Sequence, residues 1–293
     1  MQTTAVIAAL LSATGFAIST SLQHHAAGSI AAGKSAARLI GRLLTKPVWL
    51  AGQGVAVMSF GLHAIALATG PLALVQPIVV SGIVLAVPAR AALSRHRPSR
   101  REVTAVVLAA AGLGIFLVAS KPTDGSVAAA QVPAAIVCAA GVLASAACHW
   151  WATRTIDGTV RAALLGTAAG ILFGLVAGLV KLSAQVVGTG GPGAAGTAWS
   201  TWALVFVGAC GVVTNQRAYQ AARLSASMPA LNVIDVLVAL VFAVVVFGEA
   251  PRHTPTALVA ELLSLVCIVI GLRRLALAEE VPDLQVITTQ RNH

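Results

Sequence analysis

Charged residues are scarce in this sequence, and their scarcity limits the kinds of protein that it can encode. Only 10% of the 293 residues are Asp, Glu, Lys or Arg, whereas soluble domains carry about 25%. Hydrophobic residues make up 58% of the chain, and the mean hydropathy is +0.89. A chain with so few charges cannot solvate the surface of a globular protein. We therefore predict an all-α polytopic membrane protein.

Cysteines and the common catalytic motifs are also scarce. The four cysteines lie in apolar segments without Cys-x-x-Cys spacing, which argues against a disulfide framework or a thiolate metal site. There is no Walker motif and no His-Glu-x-x-His motif, and the glycine-rich loop at 188–193 follows an apolar run rather than a strand. We expect no enzymatic activity and no cofactor.

Long apolar runs occupy most of the chain. A helix needs about 20 apolar residues to cross the hydrocarbon core of a bilayer. By this measure we predict nine transmembrane helices, at residues 4–22, 47–69, 72–92, 103–120, 131–151, 161–185, 200–222, 226–248 and 255–273. Residues 26–46 carry basic residues at helical spacing and predict an interfacial helix or a cytoplasmic loop. If they crossed instead, there would be ten spans and the N-terminus would lie inside.

Basic residues predict the orientation. A net charge of +10 would suggest nucleic acid for a soluble protein, but in membrane proteins Lys and Arg gather in cytoplasmic loops. Sixteen of the 19 basic residues fall in one set of alternate loops, the other set holds Lys121 and Arg252, and Lys181 lies within a span. This predicts a cell (inner) membrane protein with its N-terminus outside and its C-terminus in the cytoplasm, and no nucleic-acid partner.

Two blocks of the chain match each other in pattern. Trp49 to Pro77 and Trp202 to Pro229 each frame a span, a short polar break and a proline-containing span. The predicted orientation makes the two blocks run in opposite directions, as in the inverted repeats of many secondary transporters. We divide the chain into a first membrane repeat (1–125), a second membrane repeat (126–277) and a disordered cytoplasmic tail (278–293).

Several stretches resemble a known superfamily of transporters. They are VWLAGQGVAVMSFGLHAIALATGPLALVQPIVVSGIV at 48–84, PSRREVTAVVLAAAGLGIFLVASKP at 98–122, GLVKLSA at 178–184 and TNQRAYQAARLSASMPALNVIDVLVALVFAVVVFGE at 214–249. They are similar to the drug/metabolite transporter (EamA-like) superfamily, and most similar to its NIPA-like branch of magnesium transporters. The resemblance covers most of residues 4–275 and implies inverted repeats around a central solute cavity.

The resemblance also bears on the substrate. Where NIPA-like proteins place a glutamate in the second span, this chain has Phe60 or Gly61, followed by His63. The missing carboxylate argues against Mg²⁺, which prefers oxygen ligands. Lys181 matches a lysine of the NIPA-like pattern, and a lysine at the cavity would favour an anionic or zwitterionic solute. Glu249 matches a superfamily glutamate, for which we expect a structural cap or loop anchor.

Asp235 is the leading candidate for a functional residue. It lies about 14 Å into its span at roughly 1.5 Å per residue, and a charge at that depth costs at least about 3 kcal/mol. It therefore requires a partner, a water-filled cavity or a proton. Asn232 lies one helical turn earlier on the same face. We predict that Asp235 coordinates the solute or couples its movement to a proton or cation; the alternative is a structural hydrogen bond between helices.

Other polar residues of the spans are predicted to support Asp235. In the repeat alignment Gln216 corresponds to His63, and Met228 corresponds to Gln76. We therefore predict a ring of neutral polar groups from both halves, to which Asn215 and Lys181 are added as further binding candidates; the ring itself comprises His63, Gln76, Gln216 and Asn232. The alternatives are hydrogen bonds between helices or, for Lys181, a side chain that reaches the headgroups.

Four glycines spaced four apart, from Gly166 to Gly178, predict close approach of another helix. Together these features predict a secondary transporter that moves a small metabolite or drug-like solute by alternating access. A magnesium or divalent-cation permease is the alternative within transport, and a non-transporting scaffold of an envelope enzyme, with the glycine stripe as its intermolecular face, is the alternative of another class. The expected partners are the lipid bilayer and a small-molecule solute or Mg²⁺. The sequence leaves open whether two copies of the chain form a homodimer.

Overall fold

The computed structural model describes residues 2–28, 41–80, 82, 100–119, 131–221, 224–249 and 255–278. These parts of the chain are helical and contain no strand. The helices are α1 (Gln2–Gly28), α2 (Pro47–Thr69), α3 (Leu72–Val80), α4 (Arg100–Ala119), α5 (Gln131–Arg154), α6 (Gly158–Gly190), α7 (Ala194–Thr197), α8 (Trp199–Ala221), α9 (Leu224–Phe247) and α10 (Pro255–Ala278).

Several helices have the length and composition of membrane spans. Five segments of the described chain are long and apolar enough to cross a bilayer: Thr3–Gln23, Pro47–Thr69, Gln131–Arg154, Gly158–Gly190 and Ala230–Phe247. Large apolar side chains such as Met58, Leu143 and Phe206 are exposed on the outer faces of the bundle. The described residues confirm the all-helical class and indicate a membrane-embedded protein, whereas the count of nine spans stays a prediction.

Local sequence sets where several helices begin. Pro47 and Pro255 open α2 and α10, where a missing N–H removes no intrahelical hydrogen bond. Asp157 precedes α6, and its carboxylate accepts hydrogen bonds from the backbone N–H groups of Thr159 and Val160. This is the usual N-cap arrangement, in which a side-chain oxygen satisfies free amides of the first turn.

The end of α9 is a sharp reversal of the chain. Gly248 adopts a φ of 63°, a left-handed conformation that glycine reaches without a Cβ penalty. The next backbone N–H, that of Glu249, donates to the carbonyl of Ala243 at 3.1 Å. The turn therefore folds Glu249 back against the bundle, where its side chain is buried.

Helix α6 lies at the centre of the bundle. Within its apolar segment 78% is buried inside the protein, the largest share among the candidate spans of the described chain. It packs against α5, α8 and α9, while α1 packs against α2, α4 packs against α10, and α3 lies against α1 and α9. The main apolar core joins Leu72 and Ile78 of α3 to Leu175 and Leu179 of α6 and Phe242 of α9.

The glycine stripe of α6 is the surface on which α9 packs. A Cβ on Gly170 would lie 2.4 Å from the carbonyl oxygen of Leu231, and one on Gly174 would lie 2.7 Å from that of Asp235. Such distances confirm the predicted close packing of helices. The stripe is covered within this chain, so it does not offer a free face to a partner protein.

We expect Gly174→Ala to destabilise the protein, because its methyl group would meet the Asp235 backbone and the Cβ of Val238, each at 2.7 Å. Overpacking of this kind costs about 1–3 kcal/mol. The matched control is Gly188→Ala in the same helix, where an added Cβ meets nothing within 4 Å and alanine is favoured by up to ~1 kcal/mol. Thermal unfolding of both purified variants checks this, and equal midpoints would contradict the packing account.

Four sequence predictions fall wholly or partly outside the described residues. They concern the second half of the predicted span 72–92, most of the interfacial segment 26–46, the boundary between the repeats near residue 125, and the tail beyond residue 278. Arg42 and Lys46, which lie at the end of the interfacial segment, are described and exposed.

Candidate functional site

A buried hydrogen bond joins α3 to α9. Gln76 Nε2 donates to Asp235 Oδ1 at 2.6 Å, and the two residues are only 2% and 7% exposed. The backbone of Asp235 lies against Gly174, which is midway between the first and last residues of α6. The pair is therefore level with the middle of α6.

The orientation of the Gln76 amide follows from the charge it faces. Its NH₂ group points to the Asp235 carboxyl, because an amide oxygen in that position would be repelled by the carboxylate. This leaves Gln76 Oε1 buried and without a hydrogen-bond partner within the described parts of the chain. An unpaired buried acceptor costs roughly 1–3 kcal/mol, so the site holds a polar atom that a ligand could satisfy.

A small cavity lies close to the pair, although neither Gln76 nor Asp235 lines it. Asn232, one turn before Asp235 and 8% exposed, lines it together with Pro77, the residue after Gln76. The cavity has a volume of about 50 Å³. Its other walls are the apolar side chains of Val233, Val236, Leu237, Leu265, Ile268 and Val269. Polar groups thus stand at one edge of an otherwise apolar space.

A second polar assembly, which we call the cap cluster, comprises Gly70, Ala73, Lys181 and Glu249. Lys181 Nζ forms an ion pair with Glu249 and donates to the carbonyl oxygen of Gly70 at 3.1 Å. Glu249 Oε2 accepts from the backbone N–H of Ala73 at 3.0 Å. The carboxylate thereby caps the first turn of α3, where negative charge is favoured by the helix dipole.

The cap cluster settles two expectations. Glu249 is a structural cap, as predicted. Lys181 does not reach toward lipid headgroups, because its side chain is only 13% exposed and is held by Glu249. It lies seven residues beyond Gly174 along α6, roughly 10 Å at 1.5 Å per residue, and so stands apart from Asp235.

A third assembly, the glutamine cluster, comprises Ser19, Gln23, Gly52 and Gln216. Gln216 Nε2 donates to Gln23 Oε1 at 3.1 Å, Gln23 Nε2 donates to Ser19 Oγ at 2.8 Å, and Ser19 Oγ donates to the carbonyl of Gly52 at 2.8 Å. This chain of hydrogen bonds joins α8, α1 and α2. Sequence reasoning missed Ser19 and Gln23, although their spacing of four places both on one face of α1.

The cap and glutamine clusters lie at opposite ends of α2. Gly52, in the glutamine cluster, follows the start of α2, and Gly70, in the cap cluster, directly follows its last residue. The 18 residues between them span roughly 27 Å at 1.5 Å per residue, close to the thickness of a hydrocarbon core, about 30 Å. One polar cluster therefore lies near each end of the bundle.

The remaining predicted residues occupy separate surroundings. His63 is 5% exposed and packs against Phe16 and Phe60, with ring centroids 6.2 and 6.4 Å away. Its Nδ1 has no hydrogen-bond partner in the described parts of the chain. Asn215 is half-buried on α8 beside Gln216. The described hydrogen bonds join Gln76 to Asp235 and Gln216 to Gln23, rather than linking all the predicted residues in one ring.

Sequence comparison finds a relative in the bacterium Corynebacterium glutamicum. It is an uncharacterized protein that is 28% identical over 254 residues, and the alignment covers 84% of this chain and 85% of the relative. No protein-family model matches the chain, and no solved structure matches it significantly. The similarity extends over most of both proteins.

Proposed function

We propose that the protein is a secondary transporter of the drug/metabolite type, which moves a small solute across the cell membrane by alternating access. The observation that carries the proposal is the buried Gln76–Asp235 hydrogen bond, level with the middle of α6. Ionisable residues at such depth are expensive, and they commonly mark substrate or ion pathways.

The pairing of helices α3 and α9 supports this proposal. Helices α2 and α8 are each 23 residues long, and each is followed after two residues by a helix containing a proline, Pro77 in α3 and Pro229 in α9. In the proposed arrangement of nine spans in two inverted repeats, α3 and α9 are equivalent helices. Gln76 and Asp235 then meet where the two halves face each other, the usual place for a transporter's binding site.

The positions of the cap and glutamine clusters support alternating access. Each cluster closes one end of the bundle with polar contacts between helices that are distant in sequence. In the proposed orientation the cap cluster lies at the outer face and the glutamine cluster at the inner face. Opening one cluster while the other holds would expose the Asp235 site to one side at a time.

A magnesium permease is less well supported. The described residues contain no group of three or more His, Cys, Asp or Glu side chains that could hold a metal ion. Asp235 is hydrogen-bonded to the amide of Gln76 and has Asn232 one turn away, whereas Mg²⁺ demands an octahedral set of oxygen ligands. The scaffold hypothesis loses the glycine stripe as its binding face, because α9 covers that stripe.

Flux into proteoliposomes tests the proposed function. The wild type is reconstituted and offered alkylamines, amino acids, sugars and Mg²⁺ in separate experiments. We expect one class to enter at least about tenfold faster than into protein-free vesicles, a difference worth roughly 1.4 kcal/mol. Folded, correctly reconstituted protein that moves none of these solutes would contradict the proposal, and flux of Mg²⁺ alone would favour the permease.

Locking the glutamine cluster is expected to stop transport. In a variant whose four native cysteines are alanines, Gln23→Cys and Gln216→Cys are joined by a short bifunctional thiol reagent, because the native side chains meet at 3.1 Å. The inner end could then no longer open. The control pair is Ser145→Cys with Ala168→Cys, which bridges α5 and α6 within one repeat. In the native protein Ser145 Oγ donates a hydrogen bond to the carbonyl oxygen of Ala168 at 3.1 Å. Undiminished flux after complete cross-linking at 23 and 216 would rule out gating there.

A further inference from the structure

Among the described residues, the hydrogen-bond acceptors around Asp235 exceed the donors that reach them. The carboxyl group receives one described side-chain donor, Gln76 Nε2. The amide oxygen of the same glutamine is a second buried acceptor, and no described group donates to it. A ligand that satisfies this site must therefore carry hydrogen-bond donors.

The charge of Asp235 is not balanced by a described basic side chain. Lys181 is paired with Glu249, and Arg217 contacts His149 at 3.0 Å in an exposed position. The other described Lys and Arg residues are exposed. The expectation that Lys181 would favour an anionic or zwitterionic solute is thus not supported, because the Lys181 ammonium group is already paired with the Glu249 carboxylate. The ligand best matched to a lone buried carboxylate is a cation.

The form of the cation follows from the remaining groups. Ca²⁺ takes more oxygen ligands than one carboxylate and one free amide oxygen supply, and Mg²⁺ keeps several waters in its octahedral shell, for which the nearby cavity, apolar apart from Asn232, offers few partners. An ammonium group instead carries three donors, which suits the two acceptors and leaves one N–H. The nearby apolar cavity, about 50 Å³ in volume, is lined by Asn232 but not by Asp235 or Gln76, and it has room for a short hydrocarbon chain that extends past Asn232.

We infer that the Gln76–Asp235 site binds a small primary alkylammonium ion, with its ammonium group on Asp235 and Gln76 Oε1 and its alkyl chain directed past Asn232 toward the nearby apolar cavity. The inference rests on the proposed function, since it names the class of solute that the transporter carries. It also explains why an amide, rather than a lysine or arginine, faces the carboxylate: a permanent internal cation would compete with the solute.

Binding to the purified full-length protein tests this inference. Propylammonium, methylammonium, propionate, 1-propanol and Mg²⁺ are titrated at equal ionic strength, and binding is followed by calorimetry. We expect propylammonium to bind about tenfold more tightly than methylammonium, because it buries two more methylene groups. Propionate, 1-propanol and Mg²⁺ are expected not to compete. Asp235→Asn is expected to weaken propylammonium binding at least tenfold while the protein stays folded.

Three results would overturn the inference. These are no binding of either alkylammonium to the folded wild type, equal binding to Asp235→Asn, and competition by Mg²⁺ or propionate at the same site. Failure of the transport proposal looks different. Alkylammonium that binds through Asp235 but does not cross proteoliposomes contradicts transport and leaves the site intact, whereas Asp235-dependent flux of another solute class contradicts only the inference.

Discussion

Asp235→Asn is expected to reduce the initial rate of solute transport at least about tenfold, equivalent to roughly 1.4 kcal/mol. Asparagine has nearly the same shape as aspartate, and its side-chain oxygen can still accept the hydrogen bond from Gln76 Nε2. In the wild type that bond is 2.6 Å long. The substitution therefore removes the negative charge and little else. Transport is measured in proteoliposomes with equal amounts of each protein.

Two controls accompany Asp235→Asn. Asp157→Asn changes an exposed aspartate that caps α6, and asparagine caps helices about as well, so its transport should equal that of the wild type. Thermal unfolding is measured on the same preparations. Asp235→Asn should be at least as stable as the wild type, because a buried amide costs less than a buried charge. A folded Asp235→Asn protein with wild-type flux would eliminate Asp235 from the mechanism.

Breaking the ion pair of the cap cluster is expected to destabilise the protein strongly. Glu249 is 1% exposed, so Lys181→Met would leave a buried carboxylate without its counter-charge, and Glu249→Gln would leave the lysine unpaired. Removal of one partner from a buried pair costs about 3–5 kcal/mol. The double variant is expected to cost less than the sum of the single changes. Thermal and denaturant unfolding of all four proteins measure the coupling.

A charge-swapped variant separates the ion pair from the helix cap. Lys181→Glu combined with Glu249→Lys restores opposite charges, but a lysine at 249 cannot accept the hydrogen bond that Ala73 N–H now makes to Glu249 Oε2. The swap should therefore recover only part of the lost stability. Single variants within about 1 kcal/mol of the wild type would mean that the pair behaves as a solvent-exposed one and does not hold this end closed.

The sequence predicts the positions of several helices, although not all of their ends. The predicted span 47–69 coincides with α2, because Pro47 marks its start and a glycine–proline pair follows its end. Helix α6, in contrast, runs from Gly158 to Gly190, beyond the predicted 161–185. Hydropathy reports the part of a helix that matches hydrocarbon, whereas the Asp157 cap and the turn at Gly191 decide where the helix itself ends.

The pairing of side chains was harder to predict. The depth of Asp235 followed from its position in an apolar run, but its partner Gln76 is 159 residues away and depends on the contact of α3 with α9. Sequence reasoning did not predict the Lys181–Glu249 pair, although two opposite charges near the ends of apolar runs are good candidates for a pair. Gln23 directly follows the apolar predicted span 4–22, and its partner Gln216 is 193 residues away, so its role depends on the contact of α1 with α8.

The most direct test of alternating access is the reactivity of a cysteine at position 232, which lines the cavity beside the site. Asn232→Cys, with the four native cysteines replaced by alanine, is treated with a membrane-impermeant thiol reagent from either side of sealed vesicles. We predict labelling from both sides, and loss of labelling from the inner side alone once positions 23 and 216 are cross-linked. Labelling from neither side, or inner-side labelling that survives the cross-link, would contradict a site that opens to each face in turn.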